Sequence, residues 1–185
     1  MVKNLIKGVA ITASLLLTSY ISKAQLYITQ SGNVSFFSAT AMENIDATNK
    51  QVRTLLNAKG ELVFLIGNTE FTFQNKLMQE HFNEKYIESE KYPQSSFKGK
   101  INEAFDLTKP GEYPVTATGK LNIHGVEQER TINGKIVVTD KDVQLTAVFK
   151  VKLTDHKIDV PKLVMAKIAE DVEVKVNCSL LPKSK

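Results

Sequence analysis

The sequence predicts an all-β protein, an antiparallel barrel of about eight strands with a short helix covering one end. Three observations support this prediction. Apolar and polar residues alternate over most of the chain after residue 24, turn residues recur at short intervals, and one segment instead has helical spacing. The length of 185 residues, with 42% hydrophobic and 24% charged residues, suits one globular domain, which we assign to residues 25–185.

Residues 1–24 are predicted to be a secretory signal peptide. Two lysines precede an apolar run, Val9–Leu17, and small residues stand at the two positions that a signal peptidase recognises. The run is shorter than the roughly 20 apolar residues of a membrane-spanning helix. We therefore expect cleavage between Ala24 and Gln25 and a periplasmic or secreted mature protein.

Cleavage also changes the charge. The whole chain has 24 basic and 20 acidic residues, a net charge of +4. The predicted signal contains three of the lysines and no acid, which leaves 21 basic and 20 acidic residues and a net charge of +1. The basic excess therefore does not indicate a nucleic-acid partner, and no later segment resembles a membrane span.

The N-terminal half is predicted to contain short strands separated by turns. Ser31-Gly32-Asn33 and Ala58-Lys59-Gly60 are turn clusters, and Pro93 and Lys109-Pro110-Gly111 mark two further breaks. The strands expected around these breaks are residues 26–29, 34–38, 52–57, 61–66, 96–101 and 112–121.

One segment, Asn75–Glu88, is predicted to form the helix. Leu77, Met78 and Phe82 recur there at helical spacing, with charged residues between them. An amphipathic helix of this length would cover one end of the sheet.

The C-terminal half alternates most clearly. Residues 115–123, 143–153 and 172–180 each place apolar side chains on one face and polar side chains on the other, and Ile136–Thr139 adds a shorter strand. Cys178 shares the apolar face of its segment, so we expect a buried thiol, with an intermolecular disulfide or a reactive thiol as the alternatives.

The usual catalytic signatures do not occur in the sequence. The three histidines, His81, His124 and His156, lack the close spacing of a zinc site, and structural roles are the default interpretation. There is no Gly-x-Ser-x-Gly nucleophile elbow, and the nine glycines form no phosphate-binding loop. We therefore predict no catalytic residue, no metal site and no cofactor.

The predicted barrel interior is the most informative feature. An eight-stranded barrel either fills itself with side chains or holds one small ligand. Small residues, such as Ala117 and Ala147, share the inward rows with large ones, such as Leu121 and Phe149. The pattern alone leaves a solid and a hollow interior open.

Several motifs resemble those of the YceI-like family of secreted, lipocalin-like barrels that bind polyisoprenoids. The segment from His81 to Pro93, followed by Ser96-Phe97-Lys98-Gly99, is similar to a His and Lys-Tyr-Pro motif of the family. Gly119–Val126 is similar to its Gly-x-Leu-x-Ile-His-Gly-Val motif. Phe149–Ile158 and Ile168–Val176 are similar to later strands, so the resemblance spans about residues 35–180.

Two motifs depart from the family pattern. Ser31-Gly32 stands where the family has His-Ser, and Met78-Gln79-Glu80 stands where the family has Arg-Asp before the helical histidine. The resemblance implies an apolar tunnel for an isoprenoid tail, as in a quinone or a polyprenyl phosphate, and no catalytic residues. We expect the tunnel to be lined by Phe36, Phe64, Phe97, Ala117, Gly119, Leu121, Leu145, Ala147, Phe149, Val174 and Val176.

Three functions follow as hypotheses. The first is a secreted binding protein for an isoprenoid lipid. The second is a solid-core structural or interaction domain without a ligand. The third is a lipid-acting enzyme that uses His81 or His124 as a base. The sequence leaves the choice between monomer and homodimer open.

Overall fold

The chain folds into a closed antiparallel β-barrel. The structure, a computed structural model, describes residues 25–161, 164 and 166–183, and the predicted signal peptide at 1–24 lies outside the described residues. The strands are β1 (Leu26–Ala39), β2 (Asn44–Asn49), β3 (Arg53–Asn57), β4 (Glu61–Gly67), β5 (Thr72–Phe73), β6 (Gln94–Ile101), β7 (Gly111–Ile123), β8 (Val126–Val138), β9 (Val143–Lys152) and β10 (Asp171–Pro182).

Eight of these strands form the barrel wall, in the order β1-β3-β4-β6-β7-β8-β9-β10, and β10 returns to pair with β1. The predicted eight-stranded antiparallel barrel is therefore confirmed. β2 and β5 extend the sheet beyond the wall: β2 pairs with the second half of β1, and β5 pairs with β2.

The two hairpin turns follow from local residues. Gly60 has a φ of +82°, and the Asn57 side chain accepts hydrogen bonds from the backbone N–H groups of Lys59 and Glu61, which fixes the β3–β4 turn. His124 and Gly125, with φ of +53° and +71°, form a two-residue β7–β8 turn. Two left-handed residues in succession match the right-handed twist of the strands.

The N-terminal prediction of two short strands, 26–29 and 34–38, is wrong. β1 runs without interruption from Leu26 to Ala39, with a register shift between Thr29 and Ser31. The shift is a β-bulge at Gln30, which bends the strand, and the predicted turn residues Ser31-Gly32-Asn33 are paired with β10. The bend lets one strand pair with β3 through its first residues and with β2 through its last.

The predicted helix is present but shorter and less regular. α1 spans Lys76–His81 and continues into a π-helical turn, Phe82–Tyr86. Asn75 caps it, because its side-chain oxygen accepts a hydrogen bond of 2.8 Å from the Leu77 N–H. No helix among the described residues has the length and apolar character needed to cross a bilayer.

Candidate functional site

The barrel interior is hollow. It encloses a cavity of about 480 Å³, within the roughly 300–1,000 Å³ typical of small-molecule sites. The walls are overwhelmingly apolar, because the inward row of each alternating strand supplies aliphatic and aromatic side chains. The choice between a solid and a hollow interior that the sequence left open is therefore answered in favour of the hollow one.

Ten of the eleven residues predicted to line a tunnel surround this cavity. They are Phe36, Phe64, Phe97, Ala117, Leu121, Leu145, Ala147, Phe149, Val174 and Val176. Whether they touch a ligand stays a prediction.

Gly119 is the exception and does not line the cavity. It pairs with Gly99 across β6 and β7, and a Cβ atom at residue 119 would lie 2.3 Å from the Gly99 Cα and from the Lys98 carbonyl oxygen. The absent side chain therefore permits the two backbones to approach closely, rather than making room for a ligand. The alternation of inward and outward residues does not show whether a small residue makes room for a ligand or for a neighbouring backbone.

The sequence prediction missed further parts of the wall. Several share an inward row with predicted residues, so alternation was a sufficient signal: Val115, Val151 and Val172. Others lie on strands that the sequence described less clearly: Val34, Leu62, Ile101, Ile132 and Ile136.

One end of the barrel is filled. The strand register places the start of β1, the end of β3 and the end of β10 together there. Leu56 and Leu180 are fully buried, and the Tyr27 hydroxyl donates to the Leu107 carbonyl over 3.3 Å, which ties the β6–β7 loop across this end. We call this the filled end, and it gives the cavity a floor.

Four phenylalanines cover the opposite end. Phe36, Phe71, Phe73 and Phe82 come from β1, the segment before β5, β5 and the π-helical turn, and their ring centroids lie 5.2 to 5.7 Å apart. Aromatic pairs at such separations stabilise beyond their buried area. This cluster anchors α1 over what we call the open end.

The cavity reaches solvent at the open end, where exposed residues join its lining. Leu77 of α1 is 56% exposed, and Lys167 forms a 3.6 Å ion pair with Glu43 from the β1–β2 connection. His81 and Tyr86 also line this mouth, and burial raises the pKa of the Tyr86 phenol above its ordinary 10.0. A polar headgroup would find hydrogen-bonding partners here.

Deeper polar side chains are already paired within the protein. Asn68 donates to the Tyr92 carbonyl over 2.6 Å and accepts from the Ser95 hydroxyl over 2.8 Å. The Ser38 hydroxyl accepts from the Ala169 N–H over 2.9 Å. Because these groups are satisfied, the interior offers a ligand mainly apolar contact.

His124 lies outside the cavity and joins three segments at the β7–β8 turn. Its Nε2 lies 2.6 Å from a Glu88 carboxylate oxygen, its Nδ1 donates to the His156 carbonyl over 3.1 Å, and Tyr92 packs edge-on at 4.6 Å. The hydrogen bond from His124 lowers the pKa of the Glu88 carboxyl below its ordinary 4.5. This geometry is that of a structural histidine.

His156 is fully buried beneath the same turn, where its Nδ1 donates to the Val126 carbonyl over 3.1 Å. Within the described residues, its Nε2 is buried without a hydrogen-bond partner. Burial is the main cause that lowers the pKa of His156 below its ordinary 6.5.

Cys178 is buried and free, as its position on the inward row predicts. The Thr54 hydroxyl donates to its Sγ over 3.8 Å, and burial raises the pKa of the thiol above 9.0. A protonated thiol in this position packs as a small hydrophobe.

Comparison with known proteins agrees with this architecture. The family model of the YceI-like domain matches residues 18–180. A search of curated protein sequences gave no match.

Three solved structures share the fold at low sequence identity. A polyisoprenoid binding domain from Saccharophagus degradans, implicated in plant cell wall breakdown, has a TM-score of 0.73 at 12% identity, over 85% of this chain and 98% of that one. BcnA of Burkholderia cenocepacia has a TM-score of 0.68 at 17% identity, over 80% and 95% of the two chains. The YCEI protein of Campylobacter jejuni has a TM-score of 0.57 at 14% identity over the whole of both chains.

The match of the family model covers nearly all of the barrel that the structure shows, from β1 into β10. The chain therefore belongs to the YceI-like family.

Proposed function

We propose that this chain is a secreted or periplasmic binding protein that holds the apolar tail of an isoprenoid lipid, such as a quinone or a polyprenyl phosphate, inside its barrel. The observation that supports this most is the apolar cavity of about 480 Å³. Each methylene group transferred into such a site gains about 0.8 kcal/mol, so a chain of a few isoprene units provides useful affinity.

Two further findings support the class of ligand. One neighbour in fold is described as a polyisoprenoid binding domain. The mouth gathers a lysine, a glutamate, a histidine and a tyrosine, whereas the deeper wall is apolar, which suits a lipid with one polar end.

The direct test is retinol, a fluorescent isoprenoid, titrated into the purified protein. We expect saturable binding with a fluorescence increase. Ala117→Leu fills part of the cavity and should weaken binding by about tenfold, with a change in unfolding free energy below about 1 kcal/mol, because the new methyl groups enter free space. Val148→Leu, at a 57% exposed position on the outer face, is the control and should bind as the native protein does.

A solid-core domain would behave differently. Its Ala117→Leu variant would be overpacked, would lose about 1–3 kcal/mol of stability, and would show no retinol binding to lose. That result would contradict the proposal.

Native mass spectrometry of protein recovered from the cell envelope tests the remaining parts. We expect a mature chain that begins at Gln25 and an associated mass that extracts as an isoprenoid. The same spectrum reports the number of subunits. A chain that keeps residues 1–24, or protein with no extractable lipid and no uptake of added quinone, would contradict secretion and binding respectively.

A further inference from the structure

The wall of the barrel has a window between β8 and β9. β8 pairs with β7 along its whole length, from Val126 to Val138, but with β9 only from Gly134 to Val138. The last paired rung is Gly134 with Ala147, and beyond it the two strands separate. Residues 126–133 of β8 therefore have no neighbouring strand on this side.

The cavity extends to this window. Ile132, Gly134, Ala147 and Phe149 line it from the inward rows, as expected. Ile132 and Phe149 lie just beyond the last paired rung, on the two strands that border the window. The cavity therefore reaches the inner side of the opening.

The window is bounded at both ends by fixed contacts. At its lower end, Gly134 allows close approach of β9, since a Cβ at this position would lie 2.7 Å from the Thr146 carbonyl oxygen. At its upper end, His156 donates to the Val126 carbonyl, and His124 donates to the His156 carbonyl, each over 3.1 Å. The opening between them therefore has a stable frame.

Two side chains, rather than a backbone ladder, span the opening. The Arg130 guanidinium donates to the Lys150 carbonyl over 2.6 Å and lies 3.8 Å from the Asp155 carboxylate. The Gln128 amide donates to the Asp155 carbonyl over 2.7 Å. Both residues occupy the inward row of β8, where the other strands carry apolar side chains.

This arrangement opens at low cost. Arg130 has a side chain 28% exposed to solvent, so its guanidinium can exchange the Lys150 carbonyl for water by a change of rotamer. No hydrogen bond between the backbones of two strands needs to break. Ile132 and Phe149, both half-buried, would then border a continuous apolar path from the cavity to the outside.

We propose that this window is a lateral portal through which the isoprenoid chain enters and leaves the barrel, and that Arg130 is the side chain that closes it. The proposal rests on the proposed function, because it concerns the passage of the same ligand. In this arrangement the polar headgroup lies at the mouth of the open end, and the flexible tail passes through the side wall.

The test compares retinol exchange in the native protein and in Arg130→Met. Methionine keeps an apolar stem of similar length and removes the donors. Losing a charge-assisted hydrogen bond should raise the population of the open window by about tenfold, so association and release should both accelerate by about that factor in stopped-flow fluorescence. The dissociation constant should change by less than about twofold, because both rates rise together.

Matched variants make the result decisive. Arg53→Met removes an exposed arginine from β3, on another part of the wall, and should leave both rates unchanged. Leu77→Trp enlarges an exposed side chain at the mouth. If Leu77→Trp slows exchange and Arg130→Met does not change it, retinol passes through the mouth and the portal is wrong.

The outcomes separate the portal from the proposed function. If native protein binds neither retinol nor quinone, the proposed function fails. If native protein binds retinol and Arg130→Met exchanges it at the native rate, only the portal fails.

Discussion

The two ends of the barrel use the same strands for different purposes. At the filled end, Leu56 and Leu180 are fully buried and Leu107 closes the floor. At the open end, the same inward rows surround a cavity, and α1 with the phenylalanine cluster covers it only in part. The difference indicates that one half of the barrel supplies stability, which leaves the other half free to remain hollow.

The largest expected effect comes from truncating matched leucines at the two ends. Leu56→Ala removes a fully buried side chain and should cost about 2–5 kcal/mol of unfolding free energy. Leu121→Ala should cost clearly less, because Leu121 already faces empty space on one side. Urea denaturation of both variants measures the difference, and equal losses would contradict the division into a filled and a hollow half.

Gly119→Ala should produce the next largest effect. The new methyl group would meet the β6 backbone, and the overpacking should cost about 1–3 kcal/mol. Retinol affinity should stay close to native, since residue 119 does not line the cavity. An affinity loss without a stability loss would return Gly119 to the set of lining residues.

A pH dependence of stability should follow from His156, near the open end. Burial lowers its folded-state pKa, so the unfolded chain binds a proton more readily. The stability that neutral His156 contributes is present above its ordinary pKa of 6.5 and is lost as the pH falls through the folded-state value. Denaturation midpoints at pH 7.5 and 5.0 should therefore differ less in His156→Gln than in the native protein.

The smallest expected effect concerns the reactivity of Cys178, which can be measured without a substitution. The thiol is buried among packed residues, and its raised pKa disfavours the reactive thiolate. We expect labelling by a soluble thiol reagent to require unfolding, with or without retinol. Rapid labelling of the native protein would show that the core next to the filled end opens readily.

Alternation was sufficient to predict much of this fold. β7, β9 and β10 carry an apolar residue at nearly every second position, so their extents and inward faces follow from the sequence. The first half of β8 was missed for a physical reason. Its inward positions include Gln128 and Arg130, so polar and apolar residues do not alternate in the part of β8 that has no β9 neighbour.

Other features depend on tertiary contacts that no local pattern encodes. β2 places Asn49 in the core, where its side chain donates to the Gly67 carbonyl over 2.8 Å, so it does not resemble a buried strand in sequence. The residues at 31–33 lie in a strand and not in a turn because they pair with β10, directly after a bulge at Gln30. Gly119 occupies the same alternating row as the lining residues of β7, and only its pairing with Gly99 shows that it permits close backbone approach.

The pairing of β1 with β10 has a consequence for how the protein folds. Tyr27 lies opposite Pro182, so the wall cannot close until almost the entire chain is available. Pairing between such distant segments raises the contact order, and proteins dominated by these contacts fold slowly, on millisecond to second timescales. Because the two ends of the domain are neighbours, a circular permutant that joins them directly should fold faster through this step.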